Sequence, residues 1–386
     1  MKRSSSPPPR PAIQRLIESK PDGVAIDRFL ADRAIPIVEG SSCTFLWRGE
    51  ANGVNLRHWI FGLESDSALA RVPHTDLWYI TLDIPHGSRV EYKFEIHHHG
   101  GSQWIEDPRN PNRARDPFGA NSVLQGEGYE VPDWVAPDPD ARPGLLEPFS
   151  FNSKALGGPR SGALYLPARF RKTRQYPLLV VHDGSDYLNF ASVKAVLDNL
   201  IHRLEIPDMI VAFTDSPDRL REYANDERHA RFLTEELLPD LTRRLPILDR
   251  PQARCLMGAS FGAVAAFSTA WRYPGVWGRL LLQSGSFAFT DIGKRNRRGP
   301  LFDRVVEFVN TVRDEPKAVS ERVFVSCGVY ESLIYENRSL VPLLDGTGMQ
   351  VKFVEARDGH NWENWRDRLR EGLSWLFPGP LMFVYE

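Results

Sequence analysis

The sequence predicts two domains of different fold class, a β-sandwich followed by a three-layer α/β domain. Its 386 residues exceed what one ordinary domain needs. Short alternating segments separated by turn residues fill positions 43–130, whereas continuously apolar runs alternate with helical patterns from about 150 onward. We therefore expect an N-terminal domain over residues 1–145 and a C-terminal domain over residues 146–386.

The N-terminal domain is predicted to begin with one or two short helices over residues 12–32, where apolar side chains recur at helical spacing. Four strands bounded by turn clusters follow, at Cys43–Arg48, Leu56–Phe61, Leu77–Ile84 and Val90–Ile96. This spacing predicts an antiparallel β-sandwich of immunoglobulin-like type. The histidines at 97–99 are interpreted as a hairpin end, because adjacent side chains of a strand alternate in direction and cannot all bind one metal ion.

The C-terminal domain follows a Pro-, Asp- and Gly-rich stretch at 133–149, which we interpret as a linker or an entering edge strand. Six apolar runs predict strands buried on both faces of a mostly parallel sheet. They are Leu178–His182, Met209–Phe213, Ala253–Met257, Leu280–Ser284, Val323–Cys327 and Val351–Val354. Helical patterns lie between them at about 190–204, 226–245, 261–272, 301–313, 335–346 and 361–377. Such alternation predicts a three-layer α/β sandwich.

Composition excludes several classes of function. Lys and Arg total 48 against 50 Asp and Glu, so nothing indicates nucleic acid or an anionic membrane as a partner. Three widely spaced cysteines form no CxxC pair, which argues against a structural zinc site or a disulfide framework. The first 20 residues contain no apolar run, and no stretch is long enough to cross a bilayer. We expect a cytoplasmic protein, and the sequence leaves its oligomeric state open.

The pentapeptide Gly-Ala-Ser-Phe-Gly at 258–262 carries the strongest chemical signal. It follows an apolar strand and opens a helical pattern, which is the context of a nucleophile elbow in an α/β-hydrolase. Glycines two residues before and after Ser260 permit the tight turn that lifts the Ser hydroxyl above the sheet. The helix then directs its N-terminus toward the site. We predict that Ser260 is the nucleophile of an acyl-transfer reaction.

A serine nucleophile needs a base and an acid, which in this fold follow it along the chain in the order acid, His. His360 lies between the last apolar run and the last helical pattern and is the predicted base, with His182 as the alternative. Glu331 follows the preceding strand and is the predicted acid, which would hold the imidazole and stabilise its charged form. Asp358 and Glu336 compete for that role.

Acyl transfer also requires N–H donors for the oxyanion. One is the backbone N–H of Phe261, the residue after the nucleophile. The second is expected from the loop after the early strand, where Gly184 would let the chain bend and direct the N–H of Ser185 at the site. An ordinary Asp-Gly turn is the alternative interpretation of that loop.

Taken together, these motifs resemble the esterase D group of α/β-hydrolases and, within it, the enterochelin (ferric enterobactin) esterase family. The resemblance covers most of the chain. In the second half it lies in His182-Asp183-Gly184, Arg221-Glu222-Tyr223, the elbow and Gly359-His360-Asn361-Trp362. In the first half it lies in Phe45–Gly49, Asp76–Tyr79, Tyr92–Phe94, Asp107-Pro108 and Asp116–Gly119.

The resemblance implies an N-terminal early-set sandwich related to glycogen-binding modules. It also implies a cytoplasmic enzyme that cuts the trilactone backbone of a ferric catecholate siderophore, so that iron is released. The family's nucleophile and base correspond to Ser260 and His360, and its oxyanion donors to Ser185 and Phe261. Glu331 takes the acid position, which varies between Asp and Glu in this group.

A large anion with catechol rings calls for Arg or Lys and for broad aromatic surfaces. Candidates that follow strands at the predicted catalytic edge are Arg219, Arg221, Lys294, Arg295, Arg297 and Trp362. A solvated basic loop is the alternative for 294–298, and core packing is the alternative for Trp362. No metal or organic cofactor is expected, because the iron belongs to the substrate. Two other functions stay open, a carbohydrate (feruloyl or acetyl) esterase and a catalytically inert glycan-binding protein.

Overall fold

The computed structural model describes residues 10–289 and 300–380, which form two compact units. The first unit runs to Glu130 and also includes the short segment Arg357–Gly359. The second unit contains Val131–Ala356 and the chain from His360 onward. It begins before residue 146, because Trp134 and Val135 are buried in its apolar core.

The first unit consists of two helices followed by two antiparallel sheets. Its elements are α1 (Ala12–Glu18), α2 (Gly23–Ala31), β1 (Ile37–Glu39), β2 (Ser42–Arg48), β3 (Gly53–His58), β4 (Asp66–Ala68), β5 (Ala70–Arg71), β6 (Leu77–Asp83), β7 (Arg89–His98), β8 (Gly101–Ile105), β9 (Arg113–Asp116) and β10 (Gly119–Gln125). The strand orders are β1-β2-β6-β5 and β4-β3-β7-β10-β9, with β8 paired to β7. The rings of Phe45 on β2 and Tyr92 on β7 meet edge to face, 4.8 Å apart, so the two sheets face each other across an apolar core.

The four strands predicted for this unit are present as β2, β3, β6 and β7. Strand β3 ends at His58 instead of Phe61, and the side chains of Trp59 and Phe61 are exposed. Strand β8 and the shorter strands were not predicted, since a strand such as Gly-Ser-Gln-Trp-Ile lacks apolar alternation. His98 pairs with Gly101 across the β7–β8 hairpin, which confirms the interpretation of the three histidines.

The second unit is built on one eight-stranded sheet. Its elements are β11 (Leu145–Ser153), β12 (Gly158–Leu166), β13 (Leu178–His182), α3 (Gly184–Phe190), α4 (Val193–His202), β14 (Ile210–Thr214), α5 (Arg219–Glu222), α6 (Glu227–Arg231), a π-helical turn (Phe232–Leu237), α7 (Leu238–Arg244), a 3₁₀ turn (Pro251–Ala253), β15 (Arg254–Ala259), α8 (Phe261–Arg272), β16 (Arg279–Gln283), α9 (Pro300–Asp314), β17 (Arg322–Gly328), α10 (Ile334–Asp345), β18 (Gln350–Ala356), α11 (Trp362–Asp367) and α12 (Leu369–Leu376). The strand order is β11-β12-β14-β13-β15-β16-β17-β18. Six neighbouring strands of this sheet are parallel, namely β14, β13, β15, β16, β17 and β18. Strands β11 and β12 add an antiparallel edge.

The sheet separates two apolar cores, as the continuously apolar strands predict. On β13, Leu178 and Val180 enter one core, while Leu179 and Val181 enter the other. This division confirms a three-layer α/β unit of α/β-hydrolase type. Within the described residues, no helix has the length and apolarity needed to cross a bilayer.

The parallel strands bring their carboxyl ends to one edge of the sheet. Ser260 directly follows β15, Glu331 follows β17 and His360 follows β18. In open α/β sheets this edge is where ligands bind. The topology therefore places the three residues predicted for catalysis on the same side of the second unit.

Candidate active site

Ser260 occupies the sharp turn between β15 and α8. Its backbone has φ 56° and ψ −120°, a strained conformation for a residue with a side chain. The turn closes so tightly that a Cβ added to Gly258 would lie 2.4 Å from the backbone of Gly262. The two glycines thus permit the close approach that raises Ser260 at the end of the strand. This geometry is that of a nucleophile elbow.

His360 and Glu331 are joined by a short hydrogen bond. His360 Nδ1 lies 2.7 Å from Glu331 Oε2. The carboxylate is buried at 1% side-chain exposure, whereas the imidazole is 39% exposed. The edge-to-face contact with Trp365, with centroids 5.0 Å apart, also fixes the imidazole ring. A buried carboxylate on Nδ1 makes that nitrogen the N–H donor and leaves Nε2 as the proton acceptor.

The other oxygen of Glu331 is held by three donors. Oε1 accepts from Ser284 Oγ at 2.6 Å, from the Gly328 N–H at 2.8 Å and from Asn364 Nδ2 at 3.3 Å. Ser284 Oγ itself accepts from Trp365 Nε1 at 2.9 Å, so its own proton is directed at the carboxylate. These contacts orient Glu331 so that Oε2 points at the imidazole.

The two competing acids make other contacts. Asp358, in the short segment that belongs to the first unit, forms a buried ion pair with Arg89 at 3.2 Å and accepts from the Gly359 N–H at 2.7 Å. Glu336 lies on α10, beyond the loop that carries Glu331. Glu331, which the sequence predicts as the acid because it follows β17, is the residue that contacts His360 Nδ1.

The hydroxyl of Ser260 points to a second serine in this structure. Ser260 Oγ lies 3.1 Å from Ser286 Oγ, and the Ser286 N–H donates to the Ser260 carbonyl at 3.3 Å. Within the described part of the chain, Ser260 and His360 share no hydrogen bond. The structure therefore joins base to acid and leaves the nucleophile on a different partner. Catalytic hydrogen bonds of this kind often tighten only when substrate binds.

The two predicted oxyanion donors differ in availability. The Phe261 N–H, at the first position of α8, has no acceptor among the described residues. The Ser185 N–H, by contrast, donates to Asp215 Oδ1 at 2.9 Å, and its hydroxyl bonds the same carboxylate. Ser185 is therefore not free to receive an oxyanion here, which departs from the prediction. The N–H of Gly184, one residue earlier, has no acceptor among the described residues.

Arg219, one of the predicted binding residues, contacts the residue before the elbow serine. Its Nε donates to Asp183 Oδ1 at 2.8 Å, and one NH₂ group lies 3.4 Å from the carbonyl of Ala259, the residue before the nucleophile. Burial alone would lower the pKa of Arg219, but the Asp183 carboxylate outweighs it and the pKa is raised. The guanidinium, at 34% side-chain exposure, thus presents a fixed positive charge beside the elbow.

Two of the other predicted binding residues, Arg221 and Trp362, lie in the described part of the chain. Arg221 is exposed on α5. Trp362 is 8% exposed and packs against Tyr187 and Trp365, with centroids 5.2 and 4.7 Å apart, so core packing describes it better than substrate contact. Lys294, Arg295 and Arg297 lie outside the described residues.

His182, the alternative base, is fully buried beneath the elbow. Its Nδ1 lies 2.8 Å from the Met257 carbonyl, so Nδ1 must donate, and Nε2 must accept from His229 Nε2 at 3.1 Å. Burial lowers the pKa of His182 to about 4 and that of His229 below its usual value as well. Both rings are neutral, and their hydrogen bonds are structural.

The turn Gln283-Ser284-Gly285-Ser286 was not predicted as part of the site. Ser284 contacts the predicted acid and Ser286 contacts the predicted nucleophile. The turn follows β16, between the strands that carry these two residues. Because the turn lies at the carboxyl end of a central strand, its position in the sequence could have indicated that it belongs to the site.

The fold and this geometry are those of an α/β-hydrolase esterase. A family model described as a putative esterase matches residues 153–376, and the chain belongs to that family. It is therefore a carboxylic ester hydrolase. The Iron(III) enterobactin esterase of Dickeya dadantii is 26% identical over 89% of this chain and 90% of its own length.

Two solved structures extend the comparison. The enterobactin esterase of Shigella flexneri covers 91% of this chain and 97% of its own at 21% identity, with a TM-score of 0.73. A ferulic acid esterase covers 61% of this chain and 98% of its own at 21% identity, with a TM-score of 0.54. At these identities the likeness shows the fold. The first covers most of the chain, whereas the second covers an extent close to that of the second unit alone.

Proposed function

We propose that this protein is a serine esterase that hydrolyses the trilactone backbone of a ferric catecholate siderophore. One observation carries the substrate assignment. The similarity to an Iron(III) enterobactin esterase spans 89% of the chain and therefore both units, whereas the ferulic acid esterase matches 61%. A carbohydrate esterase is the second candidate on the strength of that shorter match.

In the proposed mechanism, Ser260 directs its hydroxyl proton at His360 when substrate binds. His360 Nε2 takes the proton as Ser260 Oγ attacks the ester carbonyl. Glu331 holds the Nδ1–H bond and stabilises the imidazolium. The oxyanion accepts from the Phe261 N–H at the N-terminus of α8. His360 then protonates the leaving alcohol, and water hydrolyses the acyl-enzyme by the same steps in reverse.

Substrate recognition in this proposal begins at Arg219. Its charged guanidinium lies beside the elbow, at 34% side-chain exposure, where it can contact catecholate oxygens. The iron is part of the substrate, and no cofactor takes part in the proposed steps. Arg221 and the basic residues at 294, 295 and 297 are proposed as further contacts on charge alone.

We also assign the first unit to the immunoglobulin-like early-set sandwiches and the protein to the cytoplasm. The two facing antiparallel sheets support the fold assignment. All three cysteines, Cys43, Cys255 and Cys327, are buried free thiols, which suits a reducing compartment.

Mass spectrometry of reaction products tests the substrate assignment. Ferric enterobactin and a feruloylated sugar are incubated with the wild-type protein and with Ser260→Ala. We expect linear dihydroxybenzoyl-serine products from ferric enterobactin with the wild type only. Release of ferulate with intact enterobactin would instead assign a carbohydrate esterase. Cleavage of neither, with binding to glycan, would make the protein an inert glycan-binding module.

A further inference from the structure

Ser286 is the hydroxyl partner of the candidate nucleophile. The residue is buried at 4% exposure and its Oγ lies 3.1 Å from Ser260 Oγ. Its N–H also donates to the Ser260 carbonyl, so two hydrogen bonds join the residues. At this distance the Ser286 hydroxyl can donate a hydrogen bond to Ser260 Oγ or accept one from it.

The turn that carries Ser286 is tightly built. Ser284 has φ 46°, and its N–H donates to the Ser326 carbonyl at 2.6 Å. A Cβ on Gly285 would lie 2.1 Å from the ring of Phe287, and the Gly285 carbonyl accepts from Asn337 Nδ2 at 2.9 Å. The position of Ser286 is therefore set by the backbone around it.

We propose that Ser286 is a catalytic residue that donates a hydrogen bond to Ser260 Oγ during acyl transfer, an inference that rests on the proposed serine mechanism. Ser260 must give its own proton to His360, so in the reacting state it can only accept from Ser286. As that proton moves to Nε2, negative charge grows on Oγ and the bond from Ser286 strengthens. Ser286 keeps its proton throughout.

The same bond assists the second half of the reaction. When water attacks the acyl-enzyme, Ser260 Oγ is the leaving atom and again gains negative charge before His360 protonates it. Ser286 donates to that oxygen in both half-reactions. Its effect is therefore expected on the chemical steps and not on substrate binding.

The test compares Ser286→Ala with the matched pair Ser286→Thr and Ser286→Val, which differ only in the hydroxyl. Ser268→Ala is the control, because Ser268 is a buried serine of α8 whose hydroxyl donates to the Ala265 carbonyl, away from the site. The readouts are the rate of fluorophosphonate labelling, kcat and KM on p-nitrophenyl butyrate, and the melting temperature.

We expect Ser286→Ala and Ser286→Val to lower the labelling rate and kcat by about 10- to 100-fold, the range of a hydrogen bond to a charged group. KM should stay within about 2-fold, and Ser286→Thr should keep most of the activity. If Ser286→Ala fails to fold, the comparison of Ser286→Thr with Ser286→Val tests the role of the hydroxyl instead.

Folded Ala and Val variants that label at the wild-type rate, or that change KM alone, would overturn the role of Ser286. A wild type that takes no label would remove the serine mechanism and this role with it. Labelling that depends on Ser286, combined with intact ferric enterobactin, would remove only the substrate assignment.

Discussion

Replacing Glu331 with Gln tests how the site fixes its histidine. Three donors, from Ser284, Gly328 and Asn364, converge on Glu331 Oε1. In the variant the amide oxygen must face those donors, so the amide NH₂ faces His360 Nδ1. An NH₂ group there forces the proton of His360 onto Nε2. That tautomer cannot accept the proton of the nucleophile.

The expected loss in kcat for Glu331→Gln is about 10³- to 10⁴-fold, the effect of the wrong tautomer in serine hydrolases. Stability should change by less than about 1 kcal/mol, because the three donors keep an acceptor. Glu331→Ala leaves those buried donors unpaired and should cost about 3 kcal/mol or more of unfolding free energy in addition to activity. Steady-state kinetics on p-nitrophenyl butyrate and urea unfolding measure the two effects.

Glu336→Gln is the matched control, because Glu336 is the competing buried acid on the neighbouring helix. It should keep kcat within about 3-fold of the wild type. A Glu331→Gln enzyme within 10-fold of the wild type would refute the role of Glu331. So would a larger loss in Glu336→Gln than in Glu331→Gln.

Three further predictions follow from local geometry. Gly258→Ala should destabilise the protein by about 3 kcal/mol and abolish fluorophosphonate labelling, because the added Cβ would overlap the Gly262 backbone. Gly23→Ala is the control, since its Cβ would meet nothing closer than 3.8 Å, and it should leave thermal unfolding unchanged. Arg219→Gln should raise KM for a ferric catecholate ester about 10-fold and leave KM for p-nitrophenyl butyrate within 2-fold; equal effects on both would contradict its role. His182 has its pKa lowered by burial from 6.5 to about 4, so the unfolded state binds its proton first as pH falls, and about 3 kcal/mol of stability should be lost between pH 6.5 and 4. Urea unfolding at a series of pH values checks this loss, which should shrink in His182→Asn; an unchanged pH dependence in that variant would count against it.

The parallel strands and the elbow could be predicted because the sequence encodes them locally. Leu178–His182 is apolar throughout and forms β13 with the predicted bounds. Ser260 stands between a strand and a helix that both carry clear patterns. His360 and Glu331 follow from the same logic, since residues after parallel strands meet at one edge.

The features that were missed depend on contacts between distant segments. Strand β12 is antiparallel to both of its neighbours and buries only its last three residues, so it carries no continuous apolar run. The hydrogen bond from the Ser185 N–H to Asp215 joins the ends of two neighbouring strands, and no local sequence pattern predicts it. The contact between Ser286 Oγ and Ser260 Oγ could not be predicted either, because the distance between the two atoms depends on the turn after β16.

Peptide mapping of a fluorophosphonate adduct identifies the nucleophile of this protein. The wild-type protein is treated with the probe at neutral pH, digested and analysed by tandem mass spectrometry. We predict a single adduct on Ser260, absent in Ser260→Ala and strongly slowed in His360→Ala. An unlabelled wild-type protein, or an adduct on any other residue that persists in Ser260→Ala, would rule out Ser260 as the nucleophile.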